Sequence, residues 1–340
     1  MSNKSDISVY AKYKNLYRDI IFGYSEERFK STKQKVFIKH LSDLETGQSE
    51  RAYQDLLFQG KEKGLKTEKE TINFLIEEKC WSESNEEKIS SLSEEISRLR
   101  SARDKLIIKS QLSQLEKDMK PLADELYVLD YERRENLGMT TEVFANKKIS
   151  EETIQSSFFK DRELTELFYS EEEFEYLSQE AVNESLSIYS EMVSKKFAGD
   201  EIKRVSVCPF FMNTYVICND NVYNFFGKPI LYLTNFQVAL MSSAKYFKNL
   251  MGNAKPPPED FYTSPDKIIE WYELQNKTMQ AKNAIEDKGE AGGKSLMGAS
   301  RVELDAVEGE NEEVLDLGGE IEKSGGEMNF DQILDMHGIK

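Results

Sequence analysis

The sequence predicts a mainly α-helical protein, and three observations lead to this fold class. Proline is absent before Pro121, and glycine is sparse there. Apolar residues between Ile7 and Tyr24 recur at spacings of three and four, which places them on one face of a helix. Residues 82–137 repeat this spacing in the heptad form that is typical of coiled coils. These patterns cover much of the chain before Gly138.

We expect four parts along the chain of 340 residues. They are a helical N-terminal module (residues 1–81), a long coiled-coil-like helical segment (82–137), acidic helices followed by a smaller aromatic-rich α or α+β domain (138–284), and a disordered acidic tail with a terminal amphipathic motif (285–340). The first helix carries Val9, Tyr10, Tyr13, Leu16, Tyr17, Ile20 and Ile21. A second helix is expected around residues 50–58. Thr67 and Glu70 then form a capping box that begins a third helix.

The coiled-coil-like segment contains two apolar sets that are out of register with each other. The first set is Ile89, Leu92, Ile96 and Leu99, and the second is Ile108, Leu112, Leu115, Met119, Leu122, Leu126 and Leu129. A stutter in one long helix would explain the change, and so would a reversal into a hairpin near Lys105–Lys109. The apolar faces could pack within this chain or between chains, so homo-oligomerisation through residues 82–137 remains one of two alternatives.

The following region alternates helix signals with one ambiguous stretch. Gly138 is a candidate C-cap, while Ser150 and Ser170 precede acidic residues as helix starts do. Residues 202–233 are rich in β-branched and aromatic residues, and they predict either a β-hairpin or a buried helix. Thr234 and Gln237 form a further capping box. Pro265 after Ser264 marks the start of the last predicted helix.

The end of the sequence differs in composition from the rest. Residues 285–340 hold 15 acidic and 5 basic residues, so their net charge of 5 minus 15, or −10, is more than half of the total of −17. Such a segment cannot bury a core, and we expect disorder. An apolar island within it is the candidate partner-binding site: Met328, Phe330, Ile333, Leu334, Met336 and Ile339. It is either a helix that binds a groove on a partner or part of a solubilising tail.

The composition argues against several classes of function. A net charge of −17 opposes binding to phosphate backbones and anionic lipid, so we expect neither nucleic acid nor membrane as a partner. Three cysteines without a Cys-x-x-Cys spacing and only two histidines, His40 and His337, give little material for a metal site or a catalytic triad. We therefore predict no catalytic, metal or cofactor site. The N-terminus lacks the apolar core of a signal peptide, which predicts retention where the chain is made.

Three stretches carry a resemblance to a known class of proteins. They are residues 64–81 (GLKTEKETINFLIEEKCW), residues 224–251 (NFFGKPILYLTNFQVALMSSAKYFKNLM) and residues 264–273 (SPDKIIEWYE). The coiled-coil-like segment, which lies between the first two, contributes to the resemblance. In helix order and aromatic clusters, residues 50–275 resemble tailed-phage virion and tail morphogenesis proteins. The resemblance implies a non-enzymatic assembly factor, a tail or baseplate assembly chaperone, or a minor virion structural protein. Its partners would be other phage morphogenesis proteins, in the host cytoplasm or on the virion. An acidic regulator that binds a host or phage enzyme is the alternative.

Overall fold

A computed structural model describes residues 4–103, 106 and 109–288, with side chains outside this description at residues 4–9, 109–110, 263 and 280–288. The described residues are mainly helical, which confirms the predicted class. The helices are α1 (Lys4–Phe22), α2 (Asp43–Glu62), α3 (Glu68–Glu77), α4 (Glu83–Arg103), α5 (Lys109–Leu137), α6 (Thr141–Ser157), α7 (Glu171–Glu175), α8 (Gln179–Glu191), α9 (Gly199–Ser206), α10 (Pro209–Ile217), α11 (Val222–Phe226), α12 (Asn235–Asn253) and α13 (Pro265–Lys288). The strands are β1 (Tyr24–Arg28), β2 (Lys35–Lys39) and β3 (Phe158–Phe159).

The N-terminal region is not purely helical, and the prediction of a helical module over residues 1–81 is wrong in this respect. β1 and β2 form an antiparallel hairpin in which Tyr24 pairs with Lys39 and Arg28 with Lys35. β3 adds to the other edge of β2, with Phe37 opposite Phe159. Val36 and Ile38 are buried completely. Because β-branched residues pack well on a pleated, half-buried surface, this short run favours strand over helix.

The structure divides into two compact units, of which the first comprises residues 1–87 and 129–272. One continuous core fills it, and this core joins α1 to α9, α10 and α12 in the distant C-terminal part of the unit. The residues predicted as a separate N-terminal module therefore share a core with the aromatic-rich region. Its most deeply buried large side chains include Ile20, Ile38, Ile154, Phe158, Phe211, Tyr215, Leu240, Phe247 and Ile268.

The region that could have been a β-hairpin is helical. α9, α10 and α11 occupy residues 199–226, and a single 3-10 turn follows at Ile230–Tyr232. Pro209 begins α10, where a missing N–H costs nothing. The predicted helix start at Ser150 is wrong, because α6 begins after Thr140 and contains Ser150 in its interior. The hydroxyl of Ser150 donates instead to the Asn146 carbonyl at 2.8 Å.

The second unit comprises residues 88–128 and 273–340, described as far as residue 288. Here α4 and α5 run antiparallel, since Lys88 pairs with Glu125 and Arg103 pairs with Glu116 at 3.1 Å. The change in register therefore marks a hairpin and not one long helix. Leu92 and Ile96 of the first apolar set are buried, and the second set from Leu112 to Leu129 is half-buried. Lys277 donates to the Leu106 carbonyl at 3.1 Å.

Two expectations concern the C-terminal part of the chain. α13 continues to Lys288, so residues 285–288 are helical where disorder was predicted. The rest of the predicted tail lies outside the described residues. None of the described helices combines the length and the hydrophobicity that a bilayer span requires.

Candidate interaction surface

Large apolar side chains are concentrated on the surface of one short segment of the first unit. Of the 21 large apolar side chains exposed in the described part of the chain, six lie between positions 216 and 232. We call these six the apolar surface: Val216, Ile217, Tyr223, Ile230, Leu231 and Tyr232. Their exposed fractions run from 47% to 81%. Scattered exposed apolar residues are normal on soluble proteins, and the grouping of six within 17 residues makes this segment the candidate for binding another molecule.

The first half of the apolar surface is positioned by the end of α10. Asn219 and Asp220 both adopt left-handed backbone conformations, with φ of 52° and 58°, and this ends the helix. Lys248 of α12 donates to both carboxylate oxygens of Asp220 at 2.6 Å. The Asn221 side chain then accepts from the backbone N–H of Tyr223 at 2.9 Å and caps α11. These bonds fix Ile217 and Tyr223 on a defined backbone.

The second half of the apolar surface is the turn at residues 230–232. Tyr232 N donates to the Pro229 carbonyl and Leu233 N to the Ile230 carbonyl, each at 3.0 Å. Leu233 follows directly and is 1% exposed, so it anchors the turn in the protein. Asn235 N donates to the Leu41 carbonyl at 2.8 Å, which ties the end of the turn to the segment before α2. The backbone that carries the three exposed side chains is therefore hydrogen-bonded within the turn and just after it, and a preformed backbone lowers the entropic cost of binding.

The charge of this region differs in sign from that of the whole chain. Residues 202–258 contain six basic residues and one acidic residue, Asp220, so their net charge is 6 minus 1, or +5. The six are Lys203, Arg204, Lys228, Lys245, Lys248 and Lys255. Lys203, Arg204 and Lys248 form ion pairs. No described carboxylate forms an ion pair with Lys228, Lys245 or Lys255. The Lys228 side chain is half-buried, and this burial lowers the pKa of its amine.

His40 is the strongest candidate for chemistry inside the first unit, and its surroundings argue for a structural role. Its Nε2 atom lies 2.9 Å from the Ser25 hydroxyl, and both residues are buried. The imidazole ring packs edge-on against Phe197 and Phe236. Burial, with a smaller contribution from the Lys196 ammonium, lowers the pKa of His40 to about 3. The imidazole is therefore neutral at pH 7.

A nucleophilic Ser–His pair needs access for a substrate and a third group that orients the base. Ser25 is completely buried. The Nδ1 atom of His40 has no hydrogen-bond partner among the described residues, so no described carboxylate orients the ring. The pair is therefore part of the buried interior, at the start of β1 and just after β2, and does not have the geometry of a catalytic dyad.

The cysteines and acidic residues do not form a second candidate site. Cys208 is buried, and burial raises the pKa of its thiol to about 12. Cys80 is exposed, Cys218 is half-buried, and all three thiols are free. Within the part of the chain that the structure describes, no three His, Cys, Asp or Glu side chains come together as ligands for a metal ion.

The residues predicted as a binding site from the sequence, Met328 to Ile339, lie outside the described residues. The prediction of a β-hairpin or a buried helix at residues 202–233 is correct in burial for Phe211 and Tyr215. It missed that Tyr223 and the 230–232 turn face solvent. The sequence contains one signal for this exposure, because Lys228 and Pro229 interrupt the apolar run and residues of these types are common in exposed loops.

No protein-family model, curated protein or solved structure matches the chain.

Proposed function

We propose that this protein is a non-enzymatic assembly factor or minor structural protein of a tailed phage that acts by binding other morphogenesis proteins. The apolar surface at residues 216–232 carries the proposal. Its six exposed side chains lie on a backbone fixed by capping and ion-pair contacts, as a preformed binding surface requires. The resemblance of residues 50–275 to phage virion and tail morphogenesis proteins supplies the class of partner.

The chemistry of the apolar surface defines what a partner should offer. Ile217, Leu231 and Tyr232 present aliphatic and aromatic area, and aromatic residues are enriched at the centres of protein interfaces. Lys228, two residues before Ile230, favours a partner surface that places a carboxylate beside an apolar patch. An assembly chaperone binds such patches on subunits before these are incorporated. We place this activity in the host cytoplasm, or on the virion if the protein remains bound.

Co-purification from infected cells tests the proposal. The tagged chain should retain head, tail or baseplate proteins, identified by mass spectrometry. The variant Ile230→Asp/Leu231→Asp/Tyr232→Asp should retain them at least tenfold less. The matched control Phe58→Asp/Met139→Asp/Tyr176→Asp replaces three exposed apolar residues elsewhere and should bind as the parent chain does. Equal retention by both variants, or recovery of the parent chain alone, would contradict the proposal.

A further inference from the structure

We propose that the outer edge of β1, residues 24–28, accepts an extended segment of a partner protein as an additional antiparallel strand. This binding mode goes beyond the proposed function, because it uses a second place on the first unit and depends on backbone hydrogen bonds. The hydrogen-bonding pattern of the hairpin shows that the edge is open, and the side chains beside it define the partner sequence that fits.

One side of β1 is paired along its whole length with β2. In an antiparallel pair, residues that bond to the neighbouring strand alternate with residues whose N–H and C=O groups point away from it. His40 N donates to the Gly23 carbonyl at 2.8 Å, and Phe29 N donates to the Gln34 carbonyl at 3.0 Å. Both bonds lie on the register of the β1–β2 pair, which has no interruption. The alternation therefore assigns residues 25 and 27 to the set that bonds to β2.

The remaining residues of β1 form its outer edge, and we call Tyr24, Glu26 and Arg28 the edge residues. Their backbone N–H and C=O groups point away from β2, and no hydrogen bond joins these groups to another residue in the described part of the chain. The strand order β1–β2–β3 leaves β1 at the border of the sheet. Arg28 is exposed, and Tyr24 and Glu26 are half-buried. An open strand edge of this kind is a template for strand addition.

An aromatic stack lies at the start of the edge. The rings of Phe22 and Tyr24 are stacked with their centroids 5.9 Å apart, and the Phe37 ring meets the Tyr24 ring edge-on at 5.8 Å. Phe37 is buried, whereas 59% of Phe22 is exposed. The partner residue opposite Tyr24 would direct its side chain to the same face of the sheet. An aromatic residue at that position would extend the stack.

The charges on this face leave one cation unpaired at the other end of the edge. The Glu26 carboxylate lies 2.6 Å from Lys35 Nζ and 3.5 Å from an Arg162 guanidinium nitrogen. Arg28 forms no ion pair with a described carboxylate. A carboxylate opposite Arg28 would therefore add a favourable cross-strand pair. In an antiparallel strand this acidic residue comes four positions before the aromatic residue opposite Tyr24.

A second copy of this chain fits the edge less well than a segment of another protein. β1 has five residues and is about 17 Å long, so two such strands alone would bury much less than the ~800 Å² per partner that is usual in stable complexes. The register that pairs all three edge residues of two copies places one Glu26 opposite the other, and like charges directly opposite each other are destabilising. A transient contact with an unassembled subunit does not need a large area.

Amide hydrogen exchange of the full-length chain tests whether the edge is open. NMR of isotope-labelled protein should show that the N–H groups of the edge residues exchange roughly 100-fold faster than those of residues 25 and 27. Equal protection of both sets would show that the edge is covered and would overturn the proposal.

Binding of a fluorescent peptide tests the added strand. The peptide Thr-Glu-Val-Thr-Val-Phe-Thr places its Glu opposite Arg28 and its Phe opposite Tyr24, and fluorescence anisotropy measures its Kd. Glu26→Pro removes the outward N–H at a position where an edge strand tolerates proline, and it should weaken binding about tenfold. The matched variant Glu26→Ala loses the same ion pairs but keeps the N–H, and it should bind within twofold of the parent chain. Circular dichroism checks that both variants fold.

A charge exchange tests the orientation of the added strand. Arg28→Glu should weaken binding of this peptide about tenfold and should restore binding when the Glu of the peptide is replaced by Lys. Arg51→Glu, at an exposed position in α2, is the control and should leave the Kd of both peptides within twofold. Absence of peptide binding to the parent chain, equal binding by Glu26→Pro and Glu26→Ala, or no rescue by the exchanged charges would refute the proposal.

Two further outcomes are distinguishable. A parent chain that elutes as a dimer, with Glu26→Pro as a monomer, would assign the edge to a second copy and overturn its assignment to a partner protein. Peptide binding without any retained phage protein would support the edge and contradict the proposed function. Retention of phage proteins without peptide binding would leave the function standing and refute the added strand.

Discussion

The side-chain amide of Gln237 donates to the backbone carbonyl oxygen of Ile20 at 2.9 Å, and to that of Ile21 at 3.0 Å. Gln237 is completely buried at the start of α12, and its Oε1 atom accepts from the backbone N–H of Thr234. One side chain thus caps the beginning of α12 and the end of α1, two helices that lie far apart in the sequence. All hydrogen-bonding groups of the amide are engaged.

Replacing Gln237 with Glu should therefore destabilise the first unit strongly. A carboxylate cannot donate to the two carbonyl oxygens, and its charge would be buried beside them. We expect a loss of about 3 kcal/mol in the free energy of unfolding. Urea unfolding followed by circular dichroism measures it. Gln48→Glu, at an exposed position in α2, should change stability by less than ~0.5 kcal/mol. Comparable losses in both variants would show that Gln237 does not join the two helices.

The free energy of unfolding should decrease at acidic pH because of the lowered pKa of His40. The unfolded histidine has a pKa near 6.5, whereas burial lowers the pKa of folded His40 to about 3. Between these values the unfolded chain binds a proton that the folded chain does not. Stability should therefore fall as the pH decreases from 6.5 towards 3, by at most ~1.4 kcal/mol per pH unit.

Urea unfolding at pH 7.5, 6.0 and 5.0 measures this slope, in a range where most carboxylates stay charged. The slope, rather than the absolute stability, is the readout, so a less stable variant remains informative. His40→Gln should flatten it, and His337→Gln should leave it unchanged. A slope that persists in His40→Gln would assign the pH dependence to other groups.

Two glycines of the same helix should respond to substitution in opposite directions. A side chain at Gly60 would meet the Cα and Cβ atoms of Thr141 at 3.3 Å, because α2 and α6 pack closely there. Gly60→Leu should lower the free energy of unfolding by about 1–3 kcal/mol through overpacking. A Cβ atom added at Gly47 would meet nothing within 4 Å, so Gly47→Ala should raise stability by roughly 0.5–1 kcal/mol. Similar melting temperatures for the two variants would contradict this packing.

The three thiols should differ in reactivity towards a thiol reagent such as dithionitrobenzoate. Cys80 is exposed and should react within minutes in the native protein. Cys208 is buried with a thiol pKa of about 12, so almost no thiolate is present at pH 8. It should react only at the rate of unfolding. Cys218 is half-buried and should fall between them. Rapid reaction of all three thiols would show that the core around α10 opens readily.

Local helix signals are well predicted from this sequence. Thr67, Ser170 and Thr234 each begin a helix with the capping box that the sequence indicates. Ser42 and Glu45 form a fourth box, which begins α2 well before the predicted residue 50. The sequence contains this Ser-x-x-Glu signal eight residues before the predicted start. Capping depends on residues three positions apart, so a local pattern is enough to identify it.

Long-range relationships are not predictable in this way. β3 has only two residues, and helices α2 to α6 separate it in the sequence from β2, with which it pairs. The two contacts from Gln237 to α1 depend equally on tertiary packing. Similarly, hydropathy does not distinguish exposed Leu231 from buried Leu233, because both belong to one apolar run. Only the direction of each side chain in the folded protein separates surface from core.

Crosslinking in infected cells tests most directly whether the segment of residues 216–232 binds a partner. p-Benzoylphenylalanine is placed at Leu231 in one strain and at Tyr176, an exposed residue outside the apolar surface, in another. After irradiation, we predict an intermolecular product between position 231 and a head, tail or baseplate protein, with none from position 176. No such product from position 231, or the same products from both positions, would contradict the assignment of this surface.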